Sequence, residues 1–480
     1  MAKSYEELMG SIGRAMFFRP ERKRVRDLLS REANPVLRIG RVEHALFDVS
    51  MNGVSFLAEA ANDSFAVGQE LAVSLVLHGQ SVFSGKARVV RTEPGRTMRV
   101  ALTLVDGFID LPDLIRRDER GRLDQQLFDG PAPQWKRVPR LYQDVLGEAV
   151  HFVQYYRHSL DRHEAQLRSE GRDEAPRLLE LAERAGSQAV TACMDDAETL
   201  RAVKTITEVM LTPLLLDCPM VHRSYTKPLG YPGDYKVMLQ YYDNAFEGPS
   251  VFAKVFHKFF VEHPLSHGVR TRKDMVVALM HAEQERLLSL GQAEPTLRVA
   301  SLGCGPAREV AEFVSTHRRW PGDIRWTLID QEDEVLSVAY QAGHRELVKA
   351  GEQARGTLHC LNLSFAQLLQ EPALMQSIAP QDFIYSTGLF DYLREARAQA
   401  LIAGLYERLA PGGLLAIGNA IGPNQWFWSP ECILDWTLLY RTEAEMRRLA
   451  ADLPAGCAVD VVKEPGEAYY FLMVRKPRAK

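Results

Sequence analysis

The chain has 480 residues, of which 46% are hydrophobic and 25% charged, with a formal net charge of -4. So long a chain exceeds one ordinary core and divides into about two or three domains. The composition excludes a disordered chain, and the near-neutral charge excludes a general binder of nucleic-acid polymers, so any basic site must be local.

Six cysteines, at 193, 218, 304, 360, 432 and 457, form no CxxC pair; that pattern points to a reducing compartment without structural zinc. The opening MAKSYEELMG lacks the apolar core of a signal peptide, and no run of about 20 apolar residues follows. The expectation is a cytoplasmic protein with no membrane span.

Residues 34–104 read as short β segments, among them PVLRIG, HALFDV, GVSFLAE, ELAVSLVL and TMRVALTLV, punctuated by Gly and Asn. This spacing predicts a small antiparallel barrel or sandwich. From Leu111 to about Glu294 apolar residues recur three and four apart, as in QDVLGEAVHFVQYYRHSL, which predicts helices; GPAPQ at 130–134 reads as a hinge. YYDNAFEG and HPLSHGVRTRKDMV are expected to be helical too. From Leu297 strands and helices alternate, and CAVDVVKEPGEAYYFLMVRK reads as two strands around a Pro-Gly turn. Alternation implies right-handed crossovers and a parallel sheet with helices on both faces. The expected architecture is multidomain. It has a small antiparallel β-barrel over 1–115, an α-helical middle region over 116–294, and over 295–480 an α/β Rossmann-like domain with a mostly parallel seven-stranded sheet.

In LRVASLGCGPAREVAEF a strand passes through a glycine turn into a helix. Gly303 and Gly305 let the backbone turn tightly and approach a ligand, and the amides at the helix start offer donors. Asp330 closes the next strand, RWTLID, 25 residues after Gly305, where its carboxylate can accept both hydroxyl protons of a ribose. A helix cap is the plainer role for such an Asp. A dinucleotide fingerprint requires Gly or Ala at its last position, and Arg308 stands there.

ASLGCGPARE, DFIYSTGLFDYL and LYERLAPGGLLAIGN, with the closing hairpin, resemble the class I S-adenosylmethionine-dependent methyltransferases, whose last strand is reversed. The resemblance implies that Gly303, Cys304 and Gly305 contact S-adenosyl-L-methionine, Asp330 its ribose, and Asn362 with Leu363 its adenine. Ser386 and Gly388 would lie near its methionine part. Methyl transfer from a sulfonium is an in-line displacement governed by proximity and orientation. A carboxylate acceptor has no proton to lose and needs no base.

Acceptor-side candidates follow the fourth and fifth strands. The first are Phe390, Asp391 and Tyr392; GNAIGPNQWFWSPECILDWTLLYRT adds Asn419, Trp428, Tyr440 and Arg441. Loops at the carboxyl ends of parallel strands bind ligands, although Trp426, Trp428 and Trp436 also suit plain helix packing. The loop KPLGYPGDY carries two glycines and two prolines within 228–234, beside Tyr231, Asp234 and Tyr235. It is either a helix connection or, as expected here, a lid on the active site. GYPGD, GLFDYL and DWTLLYRT together resemble bacterial methyltransferases that make the methyl ester of a 3-hydroxy fatty acid, a quorum signal. That resemblance implies a small-molecule or fatty-acid acceptor.

Before the first strand, ERKRVRD sets Arg22, Lys23, Arg24 and Arg26 close together. Such a run is usually a solvated arm or a patch attracted to RNA or membrane, but guanidinium groups also bind phosphate bidentately and stack on bases. Followed by Asp48, Ser50 and Gly53 in FDVSMNGVSF, it resembles the PilZ domain. The resemblance implies cyclic di-GMP as a regulatory ligand, held by Arg22, Arg26, Asp48, Ser50 and Gly53, with Arg19 and Arg24 able to share the arginine role. The whole reads as a cyclic di-GMP-responsive bacterial methyltransferase. The alternatives are a non-enzymatic effector acting through a protein partner, and a protein methyltransferase.

Overall fold

The structure, a computed structural model, describes residues 23–29, 33–58, 65–93, 97–111, 114, 118, 137–160, 180–192, 196–291, 294–316, 321–351, 355–422 and 426–478. Arg19, Arg22, Cys193 and the GPAPQ stretch lie outside the described residues.

The first strands are β1 (Lys23–Arg24), β2 (Val36–Ile39), β3 (Val42–Ser50), β4 (Gly53–Ala58), β5 (Glu70–Leu77), β6 (Gln80–Glu93) and β7 (Met98–Leu104). They run antiparallel in the order β1-β3-β2-β5-β6-β7-β4, and β4 pairs back onto β3. That last pairing closes a six-stranded antiparallel barrel and removes its free edges. Val49, Phe56, Leu75, Val89 and Leu102 fill it, each at most 1% exposed. β3 departs from regular pairing once. Its register with β4 shifts between Leu46 and Asp48, so Phe47 is bulged and Asp48, Val49 and Ser50 are all buried. β1 pairs with the same strand, Arg24 opposite Asp48.

Helices then cover Arg140–Leu160, Ala197–Met210, Pro219–Thr226, Tyr235–Asp243, Val251–Glu262 and Pro264–Leu288. Asp196, Asp234 and Ser250 start three of them by accepting from first-turn amides, and Pro264 opens another where no donor is needed. The expected helix through YYDNAFEG extends only to Asp243. Asn244 follows in the left-handed conformation at φ 45°, which ends the helix.

The C-terminal strands are β8 (Thr296–Leu302), β9 (Asp323–Asp330), β10 (Arg355–Asn362), β11 (Gln381–Ser386), β12 (Leu409–Ala420), β13 (Ala458–Lys463) and β14 (Tyr469–Arg475). Their order is β10-β9-β8-β11-β12-β14-β13; β8 to β12 are parallel, and β14 runs against both neighbours. β11 is buried at every position, as a strand covered on both faces must be. The strand order reverses between β8 and β11, which opens a crevice at their carboxyl ends.

Helices and sheet share their cores. The long helix Pro264–Leu288 lays Val276, Val277, Met280 and Leu287 among Val299, Trp326 and Phe383 of the sheet. Earlier helices enclose Phe427, Trp428, Ile433 and Trp436 from the segment after β12. Trp428 acts as a wedge there. Its indole donates to Tyr142 Oη at 2.7 Å, and its ring fills the space that a side chain at Gly186 would take. Trp428→Ala is expected to cost about 3–5 kcal/mol, read as a lower urea midpoint. An unchanged midpoint would show that this wedge does not hold the helices in place.

Candidate functional site

A cavity lies over the crevice, between the strand ends and the helices. Residues from the strand ends, the helices and the segment after β12 all line it. One wall holds Gly303, Cys304, Gly305, Asp330, Leu363 and Gly388; the facing wall is aromatic and apolar, with Met220, Tyr231, Met238, Phe260, Leu265 and Leu434.

The glycine loop owes its shape to backbone freedom. Gly303 and Gly305 have φ of 64° and 53°, and a Cβ on Gly305 would meet nothing within 4 Å. The Gly303 and Cys304 amides donate to the Ile329 carbonyl at 2.8 and 3.1 Å, pinning the loop to β9. Asp330 completes it by accepting from the Gly305 amide at 3.0 Å and the Glu332 amide at 3.2 Å. The carboxylate thus organises the loop that it flanks. Burial pushes the Cys304 thiol up, which makes it a small neutral side chain and not a nucleophile. Leu363 lines the cavity, and its amide donates to the Asp330 carbonyl at 3.0 Å. Asn362 ends β10 exposed and outside the lining. Ser386 is fully buried, its hydroxyl donating to the Leu302 carbonyl at 2.8 Å, so it ties β11 to β8.

Of the acceptor-side candidates, Tyr231, Asp391 and Tyr392 line the cavity, and Asp234, Asn419, Trp428, Tyr440 and Arg441 do not. Asp234 is engaged as the cap of the Tyr235–Asp243 helix and in an ion pair with Arg223 at 2.7 Å. Arg441 donates to Asn419 Oδ1 and to the Phe390 and Leu393 carbonyls, and Asn419 donates to the Leu439 carbonyl. The pair is a clamp behind the Phe390–Tyr392 turn. Phe390 belongs to the core, and Tyr440 is partly buried beside Phe427 and Gly422. Burial raises the Tyr231 and Tyr392 phenols, with Asp330 and Asp391 respectively adding to the effect, so both stay neutral donors. Burial also raises the Asp391 carboxyl, against the pull of Arg272 and of the Ala420 amide, which donates to it at 2.6 Å.

The KPLGYPGDY loop crosses the cavity and is fastened on both sides. Lys227, left-handed at φ 51°, pairs with Asp435 at 2.6 Å, and Tyr235 hydrogen-bonds Glu334. Between them Gly233 lies flat on Trp436, where any Cβ would overlap the ring. Trp436 in turn donates to Tyr392 Oη at 2.8 Å.

Sequence reasoning missed Arg272, which lines the cavity from the long helix. A signal existed: Leu265, Val269, Arg272, Val276 and Met280 share one buried stripe at helical spacing, so a cation stands in an apolar register.

On the barrel, a groove lined by Arg24, Arg26, Pro35 and Phe47 brings the basic arm to the strand that carries Asp48. Arg24 lies 5.7 Å from the Phe47 ring centroid. Arg99 of β7 stacks on the same ring at 4.1 Å and pairs with Asp48. Ser50 donates to the Gly53 carbonyl at 3.1 Å across the hairpin turn. Arg99 also escaped the sequence reading, because only the β3–β7 side-chain pairing reveals it.

Among the described residues no helix is long and apolar enough to cross a membrane, and no group of three or more His, Cys, Asp or Glu is placed to hold a metal ion.

No family model matches this chain, and no curated protein does. Solved structures are similar in part. A chain from Bordetella parapertussis, named a possible exported protein, aligns at 18% identity and TM-score 0.39 over 62% of this chain and 97% of its own. Magnesium protoporphyrin IX methyltransferase from Synechocystis PCC 6803, solved with bound S-adenosylhomocysteine, aligns at 14% identity and TM-score 0.34, covering 53% and 98%. An N-methyltransferase from Bradyrhizobium japonicum, also with S-adenosylhomocysteine, aligns at 18% and 0.27, covering 41% and 86%. Likeness at this level assigns no activity to this chain.

Gly233→Val is expected to lift the loop from Trp436 and shift tryptophan emission to the red. An unchanged spectrum, in a chain that melts as wild type, would show that the loop is not seated on that ring.

Proposed function

We propose that the chain is an S-adenosylmethionine-dependent methyltransferase with a small-molecule acceptor, and that its barrel reads cyclic di-GMP. One observation carries the enzyme reading: the glycine loop, Asp330 and Gly388 share a single cavity with an apolar, aromatic wall supplied by the helices. The open face of Gly305 and the adjacent Asp330 carboxylate suit a nucleoside, the first through close backbone approach and the second through its acceptor oxygens. The cofactor, when bound, supplies a sulfonium-activated methyl group. The chain's own part is to hold the acceptor in line, exclude water under the 228–234 loop and keep Tyr231 and Tyr392 neutral beside it. The finer reading of the acceptor is the carboxylate of a 3-hydroxy or other fatty acid, which needs no base and suits a largely apolar wall. A bacterial, cytoplasmic setting and a link to quorum signalling belong to that same finer reading.

Calorimetry tests the cofactor. Wild type is expected to bind S-adenosylmethionine and Asp330→Ala to bind at least about 10-fold more weakly, the loss of one charged acceptor. No heat with either chain would favour the non-enzymatic effector.

The barrel reading rests on the groove that joins Arg24 and Arg26 to Phe47 and the neighbouring Asp48. In it Arg26 would take phosphate, with Arg22 outside the described residues, and Asp48, Ser50 and Gly53 would meet a guanine. Arg99 would have to release Asp48 or share it. Arg26→Ala and Asp48→Ala are each expected to weaken cyclic di-GMP binding about 10- to 100-fold. If saturating cyclic di-GMP binds yet leaves cofactor affinity and turnover unchanged, the barrel does not regulate the enzyme.

A further inference from the structure

We infer that Arg272 is a carboxylate anchor inside the cavity, an inference that rests on the methyltransferase reading and adds a binding group to it. Arg272 is 6% exposed and its guanidinium is permanently charged. Of the other deeply buried cations, Lys227 pairs with Asp435 at 2.6 Å, and Arg441 has Asn419 Oδ1 and two backbone carbonyls as acceptors. Arg272 forms no ion pair among the described residues. Nη1 donates to the Thr387 carbonyl at 2.9 Å, and the guanidinium carbon lies 4.4 Å from the Tyr469 ring centroid. Nε has no acceptor. Nη2 lies at the edge of Gly388, where the missing side chain leaves it clear; a Cβ there would stand 3.2 Å from it.

A charge so deeply desolvated calls for an anion. The cavity supplies the place for one, because Arg272 lines it beside Gly388 and Asp391. Asp391 is near enough for its charge to act on Arg272 but makes no ion pair with it, and its Oδ1 accepts from the Ala420 amide instead. Position is fixed from behind. Gly268 packs directly on Tyr469, and Thr271 hydrogen-bonds Glu464 of the β13–β14 turn, so the helix cannot rotate Arg272 away. The planar fork matches a carboxylate in two-point geometry. Two ligands of this site carry that group: the methionyl end of the cofactor, and an acid acceptor with an apolar chain.

The test uses the full chain as wild type, Arg272→Gln and Arg272→Lys, with two matched pairs of probes: S-adenosylmethionine against 5′-methylthioadenosine, and decanoic acid against decan-1-ol. In each pair only the first has a carboxylate. Arg272→Gln is expected to weaken one acid member about 10- to 100-fold while its neutral counterpart binds as before, and Arg272→Lys to recover part of the loss. Loss confined to S-adenosylmethionine assigns the cofactor's carboxylate; loss confined to decanoic acid assigns the acceptor's. Equal loss of both members of each pair reveals a merely structural role and overturns the inference, as does wild-type binding throughout. Failure of the wild type to bind S-adenosylmethionine sinks the methyltransferase reading instead, and the decanoic acid pair still judges Arg272.

Discussion

Gly233 has no side chain, and the cavity depends on that. Only a bare backbone can lie against the Trp436 ring, and the ring in turn holds Tyr392 by its indole N–H. Behind Tyr392, Asp391 accepts from the Ala420 amide, and Arg441 grips the Phe390 and Leu393 carbonyls. One unbranched position therefore sets the distance between the loop and the turn after β11. The buried Lys227–Asp435 pair adds register more than stability, because desolvating two charges offsets much of their attraction. Were the loop seated a residue out of place, Lys227 would be buried without its carboxylate.

That constraint explains why the site is assembled from distant parts. The sheet alone offers the glycine loop and Asp330, which form a crevice open on one side. The helices supply the opposite wall, and Trp428 and the half-buried Lys204–Glu431 pair hold them to the segment after β12. A ligand enclosed in this way meets many apolar side chains and few polar groups. Each polar group that remains, Arg272 above all, then weighs heavily on which ligand fits.

Much of this was legible in the sequence, for reasons that also mark where reading fails. Strand positions followed from alternation and turn residues, and both the barrel and the parallel sheet appear where the pattern put them. The glycine loop and Asp330 were legible because their chemistry is local: a turn, a strand end, a fixed spacing. Asp234, Asn419 and Arg441 look like ligand groups in sequence and are internal fasteners in the fold. A capping Asp and a catalytic Asp have the same neighbours in sequence, and only packing separates them. Arg272 illustrates the converse, being written into an apolar stripe that its charge made easy to read as solvated helix. In FDVSMNGVSF nothing in the sequence marks the bulge at Phe47, beyond which Asp48, Val49 and Ser50 are all buried.

The same packing bears on how a ligand on the barrel would be felt in the cavity. Val209 from the helical region sits in the barrel core, and Phe108, just past β7, meets His222 edge to face at 5.3 Å. The next residue, Arg223, pairs with Asp234, which starts the helix at the end of the 228–234 loop. Met220, one turn earlier, lines the cavity itself. Continuity of contacts carries no coupling energy by itself; a ligand shifts a distant site only through an element with two arrangements that it favours unequally. The loop has the makings of that element. Lys227–Asp435 and Gly233 on Trp436 fasten it to the segment after β12, and its far end is held by Arg223, whose helix meets the barrel at His222. Phe108 on His222 and Arg223 on Asp234 are thus the contacts that lie between the barrel and the 228–234 loop.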